Sequence, residues 1–356
     1  MALKYLSIQN FRNFKTLNLE LSEGFNYFVG ANGAGKTSIL ESIYYLGHAR
    51  SFRTRKFEKI VQHETSSFIV HGKIDDPNKG VFSVGIESKK GKQKIHINGQ
   101  SVQQVASLAS KIPIQLIDPD SHNLLQGGPK FRRRFLDWGV FHVEPSFFLV
   151  WQRFMRALRQ RNAVLRTRAG QAQISAWDNE ISESAEKLHQ LRSSYINNFS
   201  NLLICNIKKI FDCDSVDIQY RSGWAESSDY QAYLQDNIDK DMDKGFTRYG
   251  PHRADLVLTI NDRPVQEYIS RGQQKLLTIA MLITQAVLFS NVTNKQCLFL
   301  VDDLSAELDE EHRRRVLSEL AELNAQVFIT TVNEEDVVLL DLPQKKVFHV
   351  KHGIVV

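Results

Sequence analysis

The segment Gly30-Ala31-Asn32-Gly33-Ala34-Gly35-Lys36-Thr37 narrows what this chain can fold into more than any other. It fits the pattern G-x-x-x-x-G-K-S/T. It follows Phe25-Asn26-Tyr27-Phe28-Val29, an apolar run that reads as a buried strand, and it opens a predicted helix at about Lys36. That context gives the pattern its chemistry. Glycines let successive backbone N–H groups curl around phosphates, a lysine reaches the β and γ phosphates, and a threonine hydroxyl can ligate magnesium at the positive end of the helix. Gly30 through Thr37 are therefore candidate contacts for ATP, with Lys36 also acting in catalysis and Thr37 as a ligand of Mg2+.

Such a loop needs an acidic partner at the end of a neighbouring buried strand. Leu298-Phe299-Leu300-Val301-Asp302-Asp303 supplies four apolar residues and then two carboxylates. Asp302 is assigned to the magnesium side, and Asp303, one residue further on, to orienting or deprotonating the attacking water. A third segment, Ile269-Ser270-Arg271-Gly272-Gln273-Gln274-Lys275, precedes the apolar-periodic run Leu276 to Phe289. Taken alone, it reads equally well as a capped core helix with Ser270 as the cap.

The surrounding pattern is α/β. Strands are expected over residues 3 to 8, 17 to 21 and 25 to 29, and again at Phe68–His71, Val81–Val84 and Lys94–Ile97. The middle of the chain changes period. Phe148, Trp151, Met155, Leu158 and Leu165 share a helical face, and Ile174, Ile181, Leu188, Tyr195 and Leu202 recur every seven residues. Residues 145 to 168 and 174 to 211 read as two antiparallel helices forming an arm, with Pro145 in the first turn and Gly170 between them. Two helices packed flat on the main domain are the alternative. Strand signals return at residues 216 to 220 and 256 to 260. The expected organisation is thus an ATPase head (mixed sheet with antiparallel additions) from residues 1 to 130 and 214 to 356, with an inserted helical arm over 131 to 213. Residues 226 to 245 read as a solvated acidic excursion.

Composition adds limits. With 356 residues and 42% hydrophobic content, the chain can fill the core of a large domain or two. The net charge of +5 permits an anionic partner, and ordinary surface lysine explains it equally well. Cysteines 205, 213 and 297 fall in no metal-ligand spacing, which points to a reducing compartment. No signal-peptide core and no apolar stretch of about 20 residues is apparent, so a cytoplasmic protein without a membrane partner is expected. Basic clusters lie at Arg50, Arg53, Arg55 and Lys56, at Arg132, Arg133 and Arg134, and along residues 153 to 168. Arg50, Arg53, Arg55, Arg132 and Arg133 are taken as candidate DNA contacts.

The order of these segments resembles the ATP-binding-cassette superfamily: the glycine-rich loop, a long insertion, S-x-G-Q opening a helix, Asp302-Asp303, then Ala306-Glu307-Leu308-Asp309. Within it the opening Leu6-Ser7-Ile8-Gln9-Asn10-Phe11-Arg12-Asn13-Phe14 is similar to the RecF, SMC and Rad50 group. Pro119-Asp120 with Leu124 to Trp138, Gly47 to Arg53, and Tyr249 to Arg253 resemble the RecF family. The resemblance implies that Ser270, Gly272 and Gln273 bind the γ-phosphate held by a partner subunit, and that Arg12 joins the nucleotide contacts. It implies an ATP-dependent homodimer with weak, DNA-stimulated ATPase activity. It further implies binding to duplex DNA and single-strand/duplex junctions at replication gaps, RecR as a partner, RecA loading indirectly, and a part in recombinational repair and the SOS response. Two departures stand out: Val327 to Val332 carries threonines where the superfamily usually places a histidine, implying slow hydrolysis, and Ala306 replaces an expected serine. The nucleotide-binding subunit of a membrane transporter is the rival reading. A related nuclease would need a further acidic cluster, for which the tail after Asp309 is short.

Overall fold

The structure is a computed structural model and describes the chain apart from residues 168, 169, 212, 214, 215, 226–228, 333, 339 and 343, and apart from the side chains of 171, 306 and 307. The chain divides into two compact units: Met1–Ser121 with Lys209–Asp212 and Lys275–Val356, and His122–Lys208 with Cys213–Gln274.

The first unit holds two six-stranded sheets. One is antiparallel, in the order Phe14–Glu20, Ala2–Phe11, Ser67–Asp76, Gly80–Lys89, Lys92–Ile97, Gln100–Val102. Its strands alternate buried and open positions, as a sheet with one covered face requires. The other runs Ile354–Val355, Lys345–Lys351, Phe25–Val29, Gln326–Thr331, Leu298–Asp302, Ile114–Ile117 and is parallel apart from the first pair. Phe25–Val29, Gln326–Thr331 and Leu298–Asp302 are buried at every position, the signature of a parallel sheet covered on both faces. Between the sheets lies the helix Lys36–His48, eleven of whose thirteen residues are buried. Its Ile39, Leu40, Ile43 and Tyr44 share one hydrophobic cluster with Leu6, Ile8 and Val70 of the antiparallel sheet and Phe28, Leu300 and Phe328 of the parallel sheet.

The expected strands and the helix at Lys36 are present. The helix Arg271–Thr293 corrects one expectation: by length and composition it could cross a membrane, but 67% of its most apolar window is buried inside the protein, as for a core helix.

In the second unit helices run over Pro129–Val143, Phe147–Arg166 and Asp178–Ile210, the last ending at the boundary with the first unit. Pro145 precedes its helix instead of sitting in the first turn, and Pro129 holds the first turn of the helix before it. The buried face of Phe147–Arg166 is Phe147, Phe154, Leu158, Arg161 and Leu165, rotated from the expected one by the fully buried Arg161. Residues 214–274, expected in the head, cluster with these helices. The reason is polar as much as apolar. Strand Asp255–Ile260 pairs with Asp217–Arg221, and Asp255 takes a bidentate pair from Arg132 at 2.7 and 3.0 Å.

The expected solvated excursion over residues 226–245 is likewise corrected where it can be followed, residues 226–228 lying outside the described residues. Tyr230, Leu234 and Ile238 are buried, and Asp241 accepts from Arg161 at 2.8 Å. Arg161 also reaches Asp178 at 2.9 Å and the Thr247 hydroxyl at 2.8 Å, so it is enclosed with two acids, and the half-buried Arg248 stands 3.5 Å from Asp241. Arg161→Ala would take the cation from the buried Asp178 and leave Asp241 only Arg248, at 3.5 Å, and should lower stability by about 3–5 kcal/mol, read as a lower urea midpoint at unchanged m-value. Arg153→Ala, which removes an exposed pair with Glu180, should leave the midpoint where it is.

Candidate phosphate-binding site

The glycine-rich loop is held in shape from two sides. A Cβ on Gly30 would come within 2.2 Å of the Val350 carbonyl oxygen, so only glycine lets the Lys345–Lys351 strand pass there. Gly35 has φ of 118° and a Cβ would meet the Asn13 amide at 2.6 Å. The Ala34 carbonyl accepts from Asn13 Nδ2 at 3.0 Å and from the Gly353 N–H at 3.0 Å. Lys36 Nζ donates to the carbonyls of Gly30 at 2.6 Å and Ala31 at 3.0 Å. Burial lowers its pKa, and the nearby Asp303 and Asp302 pull the other way.

Asp302 is not on the strand beside Phe25–Val29. Gln326–Thr331 lies between, and it supplies the bridge. Thr330 Oγ1 donates to Asp302 Oδ1 at 2.7 Å and accepts from the Asp303 N–H at 2.9 Å, while Thr37 Oγ1 donates to the same Asp302 oxygen at 2.9 Å. Asp303 has φ of 54°, a left-handed conformation that aspartate tolerates, and it begins the short helix Leu304–Glu307. Loop, acids and Thr330 line one cavity of about 450 Å³, within the range of small-ligand pockets. A divalent cation fits the Thr37 hydroxyl and Asp302 carboxylate as hard oxygen donors. Among the described residues no group of three or more His, Cys, Asp or Glu could hold a metal, so phosphates and water would complete the shell.

Arg12, Arg53 and Lys59 line the same cavity. Arg12, at φ of 56°, pairs bidentately with the buried Glu41 at 2.8 and 2.6 Å, and Arg53 stands 3.8 Å from that carboxylate. Ser51 donates to Glu41 and caps the turn through the N–H groups of Arg53 at 2.9 Å and Thr54 at 3.0 Å. Glu41 therefore organises the cavity's cationic wall, and Arg53, assigned from sequence to DNA, faces the phosphate loop. Sequence reasoning also missed Asp118. The register Ile117↔Val301 brings it beside Asp302 at the same sheet end, and burial raises its pKa. An acid closing the apolar run Ile114–Ile117, as Asp302 closes its own, was the available signal.

The second arginine assignment is corrected. Arg132 is buried with its guanidinium on Asp255 and on the Gly127 carbonyl at 2.7 Å, and Arg133 donates to the Ala254 carbonyl at 2.7 Å. Arg132 is thus held inside the fold, and Arg133 is half-buried with one Nη engaged. Arg50 and Arg55 are exposed.

Ser270, Gly272 and Gln273 belong to the second unit and are exposed. Ser270 Oγ accepts from the Gln273 N–H at 3.3 Å, and Gln273 Oε1 accepts from the Ser270 N–H at 3.0 Å, a reciprocal capping box on Arg271–Thr293. Gly272 is different. Among the described residues a Cβ there would meet nothing nearer than Ser270 Oγ at 4.0 Å, so no contact among them asks for glycine at a helical position. The side chain of Ala306 lies outside the described residues. Where a histidine was missed, Thr331 donates to Asp336 and Thr330 serves Asp302.

The sequence model of the RecF/RecN/SMC N-terminal domain family matches residues 2–355. A DNA replication and repair protein RecF of Vibrio cholerae serotype O1 (El Tor Inaba N16961) is 41% identical over 360 residues, covering 100% of this chain and 99% of the relative. The solved recombination mediator protein RecF with ATP, of the RecFOR pathway, superposes with a TM-score of 0.89 at 24% identity, covering 99% of this chain and 96% of that one. The Smc head domain derived from Pyrococcus furiosus gives a TM-score of 0.61 at 15% identity, covering 99% and 95%.

The two glycines should respond oppositely to alanine. Gly30→Ala forces the Val350 carbonyl aside and should lower the urea midpoint. Gly272→Ala should leave it unchanged or raise stability by up to about 1 kcal/mol, as alanine does at exposed helical positions.

Proposed function

The chain belongs to the RecF/RecN/SMC N-terminal domain family, and within it to the RecF proteins of DNA replication and repair; on that premise we propose that it binds ATP with Mg2+ at Gly30 to Thr37, closes as a homodimer over the nucleotide, and binds DNA in that form. One observation carries the reading. Lys36, Thr37, Asp302 and Asp303 gather around one cavity of the first unit, and in the second unit Ser270, Gly272 and Gln273 are exposed, with a glycine that no contact among the described residues requires. A bare backbone there suits close approach by a phosphate that a second copy delivers.

In this reading Lys36 would exchange the Gly30 and Ala31 carbonyls for the β and γ phosphates, and Thr37 and Asp302 would hold a magnesium ion, which would offset phosphate charge. Asp303 orients the attacking water, and Arg12 and Arg53 face the phosphate tail across Glu41. With threonines in place of the switch histidine, hydrolysis is slow and acts as a timer, quickened by DNA. Arg50 and Arg55 remain the candidates for DNA phosphates. Recognition of DNA at replication gaps, contact with RecR and indirect help to RecA loading in the cytoplasm belong to the same proposal, supported by the likeness to the RecF proteins. The membrane-transporter reading is set aside, since relatives of near-identical length at about two-fifths identity carry the replication and repair name.

Lys36→Ala removes a charge-assisted contact of about 1.5–3 kcal/mol and should weaken ATP binding roughly 10- to 100-fold in a fluorescent-nucleotide titration. Asp303→Asn should keep ATP affinity yet lower turnover by about 10²–10⁴, measured as phosphate release. Ser270→Arg should bind ATP as a monomer and fail to dimerise. Light scattering that shows an ATP-induced dimer of this variant would remove the composite site from the account.

A further inference from the structure

The hairpin joining Gly80–Lys89 to Lys92–Ile97 reads Lys89-Lys90-Gly91-Lys92-Gln93-Lys94, four lysines in six residues, all four exposed. Its geometry concentrates their charge. Lys89 lies directly across from Lys92, a like-charge pair that a free hairpin disfavours. Lys90, at φ of 49°, and Gly91, at φ of 78°, form a turn with both central residues left-handed, where asparagine, aspartate or glycine is the usual first residue. Only Lys94 has an acid opposite it, Glu87, and among the described residues none of the four lysines makes a salt bridge. The local sequence thus accepts two unfavourable features that no ion pair among the described residues offsets.

The hairpin is anchored. Gln93, pointing to the other face of the strand, donates from Nε2 to the Ala49 carbonyl at 2.6 Å and to the Tyr45 hydroxyl. Ala49 is the left-handed residue that ends the helix Lys36–His48, and the exposed Arg50 follows it. One helix therefore has the phosphate loop at its N-terminus and a basic hairpin tied to its C-terminus. From Ser88 to Lys94 no large apolar side chain is exposed. A protein partner would want an apolar centre there, whereas a polyanionic backbone wants cations and flexible polar stems.

We infer that the Lys89–Lys94 hairpin is a DNA-backbone contact that, with Arg50, forms a basic surface fastened through Gln93 to the helix carrying the phosphate loop. The inference rests on the DNA-binding reading above and adds a surface to it. Phosphates would relieve the Lys89–Lys92 repulsion, and the binding would be independent of base sequence.

The test replaces Lys89, Lys90, Lys92 and Lys94 with glutamine and titrates a fluorescent 30-base-pair duplex with ATP present, at several salt concentrations. The wild-type chain should bind with a steep salt dependence. The glutamine variant should bind at least about tenfold more weakly at low salt, with a log–log salt slope shallower by roughly 2 to 4, since each duplex phosphate contact contributes about 0.9. Its ATP affinity should equal that of the wild-type chain. A variant with arginine at all four positions should restore affinity and slope. Equal affinity and slope in wild-type and glutamine variants would overturn the inference and leave the hairpin to an acidic protein surface. Absence of duplex binding by the wild-type chain itself would overturn the DNA reading as well, which separates the two failures.

Discussion

A single carboxylate oxygen joins the parts of the nucleotide site. Asp302 Oδ1 accepts from Thr37 on the phosphate-loop helix at 2.9 Å and from Thr330 on the strand between them at 2.7 Å. Three separate segments are thereby registered at one edge of the parallel sheet. Thr330 extends the bridge to the backbone of Asp303 and fixes the left-handed residue at which the chain leaves the strand. The contact is possible because Phe25–Val29, Gln326–Thr331 and Leu298–Asp302 are parallel and buried, so their C-terminal ends align and every polar group emerges together. Loss of this alignment would scatter lysine, threonine and acids that have no other reason to meet.

What the sequence revealed follows from how local each signal is. The phosphate loop and the acid pair are contiguous segments whose meaning depends only on a preceding strand, so residues 30 to 37 and 302 to 303 are legible directly. The intervening strand is not, because strand order is a long-range property. That is why Asp302 was expected one strand too near and why Asp118, from the far edge of the same sheet, was overlooked. The arginines divide in the same way. Arg132 and Arg133 look like a basic cluster in sequence, yet Asp255 and the Ala254 carbonyl, more than 120 residues away, consume them. Arg53 turns toward the cavity because Glu41 and Ser51 build its turn. Residues 226 to 245 read as solvated because acids dominate their composition, and Arg161 and Arg248, distant in sequence or unremarkable in it, show why Asp241 is buried.

The same helix that opens at the phosphate loop ends at Ala49, where Gln93 ties down the lysine hairpin. A rigid element buried on nearly all sides transmits displacement along its length better than a loop does. If the hairpin binds DNA as inferred above, this helix is the physical route between the two anionic ligands. Its direction is reciprocal: if DNA favours the closed, nucleotide-bound form, ATP must favour DNA by the same factor in affinity.

The central claim is that one nucleotide site is assembled from two chains, with Lys36 from one and Ser270 from the other. Mixing the Lys36→Ala and Ser270→Arg variants tests it most directly, because neither homodimer contains an intact site while the mixed dimer contains one. The account predicts that each variant alone stays monomeric with ATP in sedimentation-velocity experiments, and that the equimolar mixture forms an ATP-dependent dimer. A mixture that remains monomeric while the wild-type chain dimerises, or a Ser270→Arg variant that dimerises by itself, would contradict it.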